Sequence, residues 1–399
     1  MHKKKLMINK IFRKTPLAWR QLMKEKTRLV VAVAGITFAD MLIFIQMGFE
    51  SALFDSAIQP HRNLQADLVL INPQFQTLLS VKSFSRERLY QALSYNGVKS
   101  VSSIYISTGQ WRNPETKMNR SILVWGVDPA TPGLKFPEVQ AKKDYLKQLN
   151  QVLFDEASRP EYGEIGKIFR ETGKFNAELS GKNVSVKGLF QNGASFAADG
   201  NVVVSDSTFL QLFPTRKADQ IEVGLITLQP GADIEKVRKQ LQIGLNPDPQ
   251  KPFVEVGTPE TFAQKERIYW VTGTGIGFIF GLGVIVGFIV GIVIVYQVLY
   301  SDVSDHLPEY ATLKAMGYTD NYLLRVLLQE ALFLAALGYL PAFFLSFGLY
   351  QVTFAATLLP IYMKVDRAIN VFFLTVIMCT ISGAIAMRKL RSADPADIF

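Results

Sequence analysis

Side chains able to move protons or hold metals are few in this 399-residue chain, and they are scattered. The three histidines are His2, at the basic N-terminus, His61, at the edge of a long polar segment, and His306, in a short loop far downstream. A metal centre or an acid–base pair needs several such groups converging, and this spacing argues against one. No serine of the polar segment sits in a G-x-S-x-G elbow. The run Gly273-Thr-Gly-Ile-Gly has the glycines of a phosphate loop but lacks its Lys-Ser/Thr ending, and it lies inside an apolar stretch. It reads as glycine in a membrane helix. No catalytic residue, metal ligand, cofactor or ATP motif is therefore expected on this chain.

The remaining unusual residues lie in apolar runs. Asp40 falls midway along Leu29–Phe49, where a charge costs about 2.5–3.5 kcal/mol on insertion scales. A proton or substrate contact is one reading; an inward-facing acid paired with a polar neighbour is the plainer one. Glu330 is expected at the interface, near Arg325. The lone cysteine, Cys379, excludes an intrachain disulfide. Gly273, Gly277 and Gly281 repeat every four residues, as do Gly283, Gly287 and Gly291. Small residues at that spacing let helices approach closely, which predicts a tight contact within the chain or across a dimer.

Four runs have bilayer length. The spans are read as 29–49, 268–300, 322–353 and 369–387, and Ile268–Tyr300 alone is 33 residues without a charge. The net charge of +9 is local: residues 1–28 hold ten Lys or Arg against one Glu, whereas 50–267 hold 26 basic and 24 acidic residues. A basic tail beside a membrane helix is topogenic and attracts anionic membrane lipid; no basic face with stacking aromatics argues for nucleic acid. The run 29–49 is too long and too far from Lys3–Lys5 for a cleaved signal peptide. These charges place both termini (1–28 and 388–399) in the cytoplasm. Segment 50–267 and loop 354–368 then lie outside, and loop 301–321 lies inside. That inner loop is acidic (Asp302, Asp305, Glu309, Asp320) and does not itself support the orientation.

Between Pro16 and Pro60 there is no proline, so Leu17–Gln59 can form nearly one helix, opening on an interfacial stretch with Trp19, Leu22 and Met23 on its apolar side. Thr258-Pro259-Glu260 reads as a helix start. A helix from there to Tyr300 would run about 60 Å, twice the hydrocarbon thickness of about 30 Å. The first two spans are thus expected to project outward as a stalk. The outer domain alternates strand and helix signals and reads as α+β: a core of 61–137 plus 196–257, carrying 138–195 as an inserted subdomain. Val139–Glu156 is read as helical and Val184–Phe190 as part of a hairpin.

The inner loop is the most distinctive segment. A short helix from Glu309 to Met316 ends on Gly317, a natural C′ glycine. An amphipathic helix across the inner mouth of two spans suits docking to a cytosolic partner; an interfacial turn is the plainer alternative.

Glu309-Tyr-Ala-Thr-Leu-Lys-Ala-Met-Gly-Tyr, followed by Leu327-Leu-Gln-Glu-Ala, resembles the coupling-helix region of the MacB/FtsX/LolC-type (type VII) ABC transporter permeases. Arg391-Ser-Ala-Asp-Pro-Ala-Asp-Ile resembles that family's ending, and the layout is most similar to the cyanobacterial DevC-type permeases. Where the family has Glu-Ile-Gly, this chain has Glu309-Tyr310-Ala311. The resemblance implies a non-catalytic inner-membrane homodimer bound to a separate cytoplasmic ABC ATPase, which would carry the ATP and Mg. It also implies a periplasmic adaptor and a TolC-like outer-membrane channel, and a glycolipid as cargo. Contact with the ATPase would fall on Glu309, Tyr310, Leu313, Lys314, Met316, Gly317 and Tyr318. Two other readings stay open: a mechanotransmission complex regulating an envelope enzyme, and a membrane-anchored receptor with no ATPase.

Overall fold

The computed structural model describes residues 17–196, 198–309, 312 and 316–392. The chain divides into two compact units, one of Ala52–Ile276 with Thr357–Pro360 and one of the remaining helical segments. In chain order, α1 (Leu17–Lys24) and α2 (Lys26–Arg62) are separated at Glu25, so the single helix expected over Leu17–Gln59 is broken there. Pro60 lies inside the last turn of α2, where the interrupted hydrogen bonding comes too late to stop the helix.

The soluble unit then follows: β1 (Leu68–Ile71), β2 (Phe84–Ser85), α3 (Arg86–Gln91), β3 (Val98–Arg112), β4 (Asn119–Val127), α4 (Pro137–Lys142), β5 (Gln151–Asp155), α5 (Ile165–Thr172), β6 (Phe175–Leu179) and β7 (Lys182–Phe190). After these come β8 (Asn201–Ser205), α6 (Asp206–Leu212), β9 (Gln220–Ile221), β10 (Val223–Leu228), α7 (Ile234–Gly244), β11 (Glu255–Gly257) and α8 (Pro259–Ile268). Nine strands form one sheet in the order β11-β1-β10-β3-β4-β8-β5-β7-β6. The far end of β3 also pairs with β6, through Trp111 with Leu179 and Arg112 with Glu178, so six strands close into a ring. Both sheet faces are covered: Ile122 and Val124 enter one apolar core, Leu123, Trp125 and Val127 the other. These strands consequently lack polar alternation.

Two expectations for this unit are corrected. Segment 138–195 is not a separate subdomain, because β5, β6 and β7 belong to the main sheet and β5 pairs with β8. Val139–Glu156 is not one helix either. After α4 and a 3-10 turn to Lys147, Asn150 adopts φ +60° and the chain enters β5. Val152, Leu153 and Phe154 are buried there; sheet burial outweighs the helical propensity of the charged residues before them. The β6–β7 hairpin does form, around Ser180-Gly181 at φ +50° and +75°, the paired positive φ values of a tight hairpin turn.

The helix expected over 259–300 is interrupted. Thr258 caps α8 by accepting from the Thr261 N–H at 3.1 Å, but a π-turn covers Tyr269–Gly273 and Thr274 is extended. The Gly273-Thr-Gly stretch offers little helix propensity to hold the register. The chain resumes as α9 (Gly275–Asp305), α10 (Asp320–Thr357) and α11 (Val365–Ser392). Pro341 lies inside α10 without dividing it. Helices α2, α9, α10 and α11 are each long and apolar enough to cross a membrane. The protein therefore has four such spans with a large α+β domain inserted between the first and the second.

Candidate functional site

Among the described residues no group of three or more His, Cys, Asp and Glu side chains could hold a metal. Polar contacts gather at the two ends of α2, each within its own unit.

At the N-terminal end, Arg28 lies 2.7 Å from Glu25 and pairs with Asp305 at the end of α9. Lys24 lies 3.8 Å from Glu309. His306 sits 3.4 Å from the Asp302 carboxylate. Trp19 of α1 packs edge-on against Phe333 of α10 at 5.5 Å, and Leu22 is buried, whereas Met23 is exposed. The acidic loop between α9 and α10 thus has counter-charges in Lys24 and Arg28. Each exposed pair is worth at most about 1 kcal/mol, so the set positions the segment more than it stabilises it.

Of the predicted coupling residues, Glu309, Met316 and Tyr318 are exposed. Gly317 has φ +91° and the Met316 N–H bonds the Thr312 carbonyl at 3.0 Å, the geometry of a helix ending on glycine. Tyr310, Leu313 and Lys314 lie outside the described residues. Glu330, expected near Arg325 at the interface, is instead fully buried with neither carboxylate oxygen bonded. Apolar neighbours on α10, Val326, Leu327, Ala331 and Leu334, are buried with it, so its position on the inner face of the helix overrides its charge.

Within the bundle the glycines separate into two groups. A Cβ on Gly283 would meet Gln46, on Gly287 it would meet Ile43 at 3.0 Å, and on Gly291 it would meet Met378. These three serve contacts of α9 with α2 and α11 inside one chain. Gly281 has open space around it, and the nearest neighbour of Gly273 is Tyr269 of its own turn. Gly277 is half-buried. Asp40 is buried and accepts a 2.8 Å hydrogen bond from Thr375 on α11.

At the C-terminal end of α2, inside the soluble unit, a buried cluster ties α2 to α8. The Nε2–H of His61 donates to Glu266 at 2.7 Å. The same carboxylate accepts from the Leu78 N–H at 3.1 Å and from Trp270 Nε1 at 3.2 Å. Both His61 and Glu266 are completely buried. Outside this pair, Arg267 approaches Asp55 at 3.5 Å and Arg62 approaches Glu260 at 3.7 Å. On a neighbouring face of α2, Ser56, Gln59 and Asn63 grip the loop before β8. Ser56 Oγ accepts from the Phe196 N–H, Gln59 donates to the Asn192 carbonyl, and Asn63 donates to Asn192 Oδ1.

That loop is in turn fixed to the sheet. Asp155, at the end of β5, accepts from the N–H groups of Asn192, Gly193 and Ala157 and from Asn201 of β8. Burial pushes the Asp155 carboxyl up, and these donors pull it back down. Asn201 accepts from Trp125 Nε1 of β4 at 3.3 Å. The end of α2 is therefore connected to three central strands by a continuous chain of hydrogen bonds. Neither His61 with Glu266, 205 positions apart, nor Asp155 is singled out by sequence spacing.

Residues 281–395 match the model of the FtsX-like permease C-terminal family. Among solved structures, the periplasmic region of MacB from Actinobacillus actinomycetemcomitans is similar to this chain at 13% identity and TM-score 0.37, over 51% of this chain and 94% of that one. The extracellular domain of the noncanonic ABC-type transporter YknZ from Gram-positive bacteria is similar at 16% identity and TM-score 0.35, over 48% and 98%. No curated protein matches.

Proposed function

We propose that this chain is the permease subunit of an ABC-type complex of the bacterial inner membrane, working as a lever for an ATPase carried on a separate chain. The observation that carries the reading is the continuity of α2. This helix of 37 residues carries Arg28, in the ion pairs near Asp305, and His61, in the buried cluster with Glu266, and in the proposed cycle it is the element that carries displacement. The FtsX-like match over the last three spans and their inner loop supports the same reading.

In the proposed cycle, ATP and Mg bind the partner ATPase, which presses on the loop around Glu309–Tyr318. Through Lys24 and Arg28 that load reaches α2, and through Ser56, Gln59 and Asn63 it reaches the sheet. A π-turn at Tyr269–Gly273 and an extended Thr274 interrupt the second connection. Both termini are cytoplasmic and the α+β domain periplasmic. Two copies act together, with an adaptor and a TolC-like channel receiving the cargo; a glycolipid is the cargo class the DevC-type resemblance suggests. The chain itself performs no catalysis and binds no cofactor.

The test is co-purification of the full chain with its ATPase. Glu309→Lys is expected to lower ATPase retention at least several-fold, with the bundle intact by size-exclusion profile. Full retention, with normal ATP-dependent cargo export in that variant, would sink the coupling role.

A further inference from the structure

Helices α9 and α10 meet along matching stripes. On α9, Leu299, Asp302 and Val303 are buried, with His306 buried just past its end; on α10, Leu327, Glu330, Ala331 and Leu334 are buried. Spacings of three and four put each set on one helical face, and the apolar members share one core with residues of α11. Each stripe therefore carries an acid at a position that is otherwise apolar. Glu330 is fully buried, and neither of its carboxylate oxygens meets a donor. Asp302 is more than nine-tenths buried; one of its oxygens lies 3.4 Å from the His306 ring and the other is unbonded.

The charges around Glu330 are acids, or cations already committed elsewhere. Asp302 and Glu25 lie near enough for their charge to act on it. Arg28 is held by Glu25 and Asp305, Lys24 reaches Glu309, and His306 stays with Asp302. Arg325, on the same helix, is exposed, and α11 carries no charge between Arg367 and Arg388. An ionised carboxylate buried beside other acids, with no donor, is unstable until it takes up a proton or a counter-ion. Three unmet oxygens from two side chains are too few to replace the hydration shell of a metal cation, whereas a proton needs only one. We propose that Glu330 is a proton-binding site: its carboxyl holds one exchangeable proton beside Asp302, and the contact of α9 with α10 closes only with that proton bound. The site lies within the helical unit and does not depend on the ATPase reading.

The probe is dicyclohexylcarbodiimide, an apolar reagent that adds to a carboxyl only while the acid carries its proton. The full chain in phosphatidylcholine nanodiscs is labelled across a pH series, and the modified residue is identified by peptide mass spectrometry. An adduct on Glu330 should form at acid and neutral pH and fall at least several-fold at alkaline pH. Asp302→Asn removes the neighbouring charge, so the adduct should fade at a lower pH than in the wild type. Glu330→Gln, which mimics the protonated acid at every pH, should match the wild-type melting temperature at acid pH and exceed it at alkaline pH. An unlabelled Glu330 at every pH overturns the proposal, as does an identical pH profile in Asp302→Asn. Two further results also overturn it. One is protection of Glu330 when sodium chloride replaces choline chloride at equal ionic strength, since the site would then hold a metal cation. The other is Glu330→Gln melting well below the wild type at acid pH.

Discussion

His61 and Glu266 bear the sharpest consequences for single residues. Glu266 serves three donors from three parts of the domain, so truncating it leaves His61, Leu78 and Trp270 with buried unmet groups. Removing one partner of such a pair costs about 3–5 kcal/mol. Glu266→Ala is expected to expose the end of α2 to rapid amide exchange, with slow exchange retained in the β3–β4 hairpin; unchanged protection at residues 56–62 would refute the assignment. Glu222 offers a pH test. It is fully buried beside Arg216, and burial raises its pKa, against the Ile106 N–H and Arg216, which lower it. A raised folded pKa means that the linked stability is complete below the usual glutamate value and is lost as pH rises through the folded value. Thermal melts of the domain should therefore show stability declining with pH over that window, and Glu222→Gln should flatten the decline. A slope unchanged by the substitution would show that Glu222 does not titrate there.

The spans could be found from apolar run length, and their ends could not. The second span begins at Gly275 rather than Ile268 because a π-turn and an extended threonine intervene, and no composition rule marks a π-turn. The glycine periodicity pointed to close helix contacts without saying which register makes them. Gly283, Gly287 and Gly291 face α2 and α11, whereas Gly281 faces open space. Leucine at Gly287 or Gly291 should cost about 1–3 kcal/mol by overpacking and lower the melting temperature of the purified chain in detergent. Gly281→Leu should leave that temperature unchanged. If Gly281→Leu instead abolishes dimers on blue-native gels, the open register is the contact between copies. In the soluble domain, strand hydrophobicity identified the core strands, but the membership of β5–β7 in the main sheet depends on pairing β5 with β8, some fifty residues apart. Local pattern carries no information on such pairings.

At the level of the whole molecule, the pattern of membrane spans with an inserted domain was available from hydropathy, and the acidic loop after the second span stood out by its motif. What could not be read was the path between them. The counter-charges Lys24 and Arg28, the buried His61–Glu266 pair and the Asp155 network come from residues hundreds of positions apart or from loops without regular structure. Together they place polar contacts at both ends of α2. Substitutions at either end should therefore leave ATPase binding or the domain fold intact while separating one from the other. Gln59→Ala with Asn63→Ala, which releases Asn192 from α2, is expected to keep ATPase co-purification and reduce ATP-dependent output at least several-fold.

The central claim, that load applied by a separate ATPase reaches the inserted domain, can be measured directly by electron–electron distance spectroscopy. Cys379 is buried, so a spin label placed by Met118→Cys, on the exposed β3–β4 turn, reports the distance between two copies with little background. With the partner ATPase in nanodiscs, the distribution should shift on adding ATP and Mg, and Glu309→Lys should abolish the shift. An identical distribution with and without nucleotide, in a complex that hydrolyses ATP, would contradict the account.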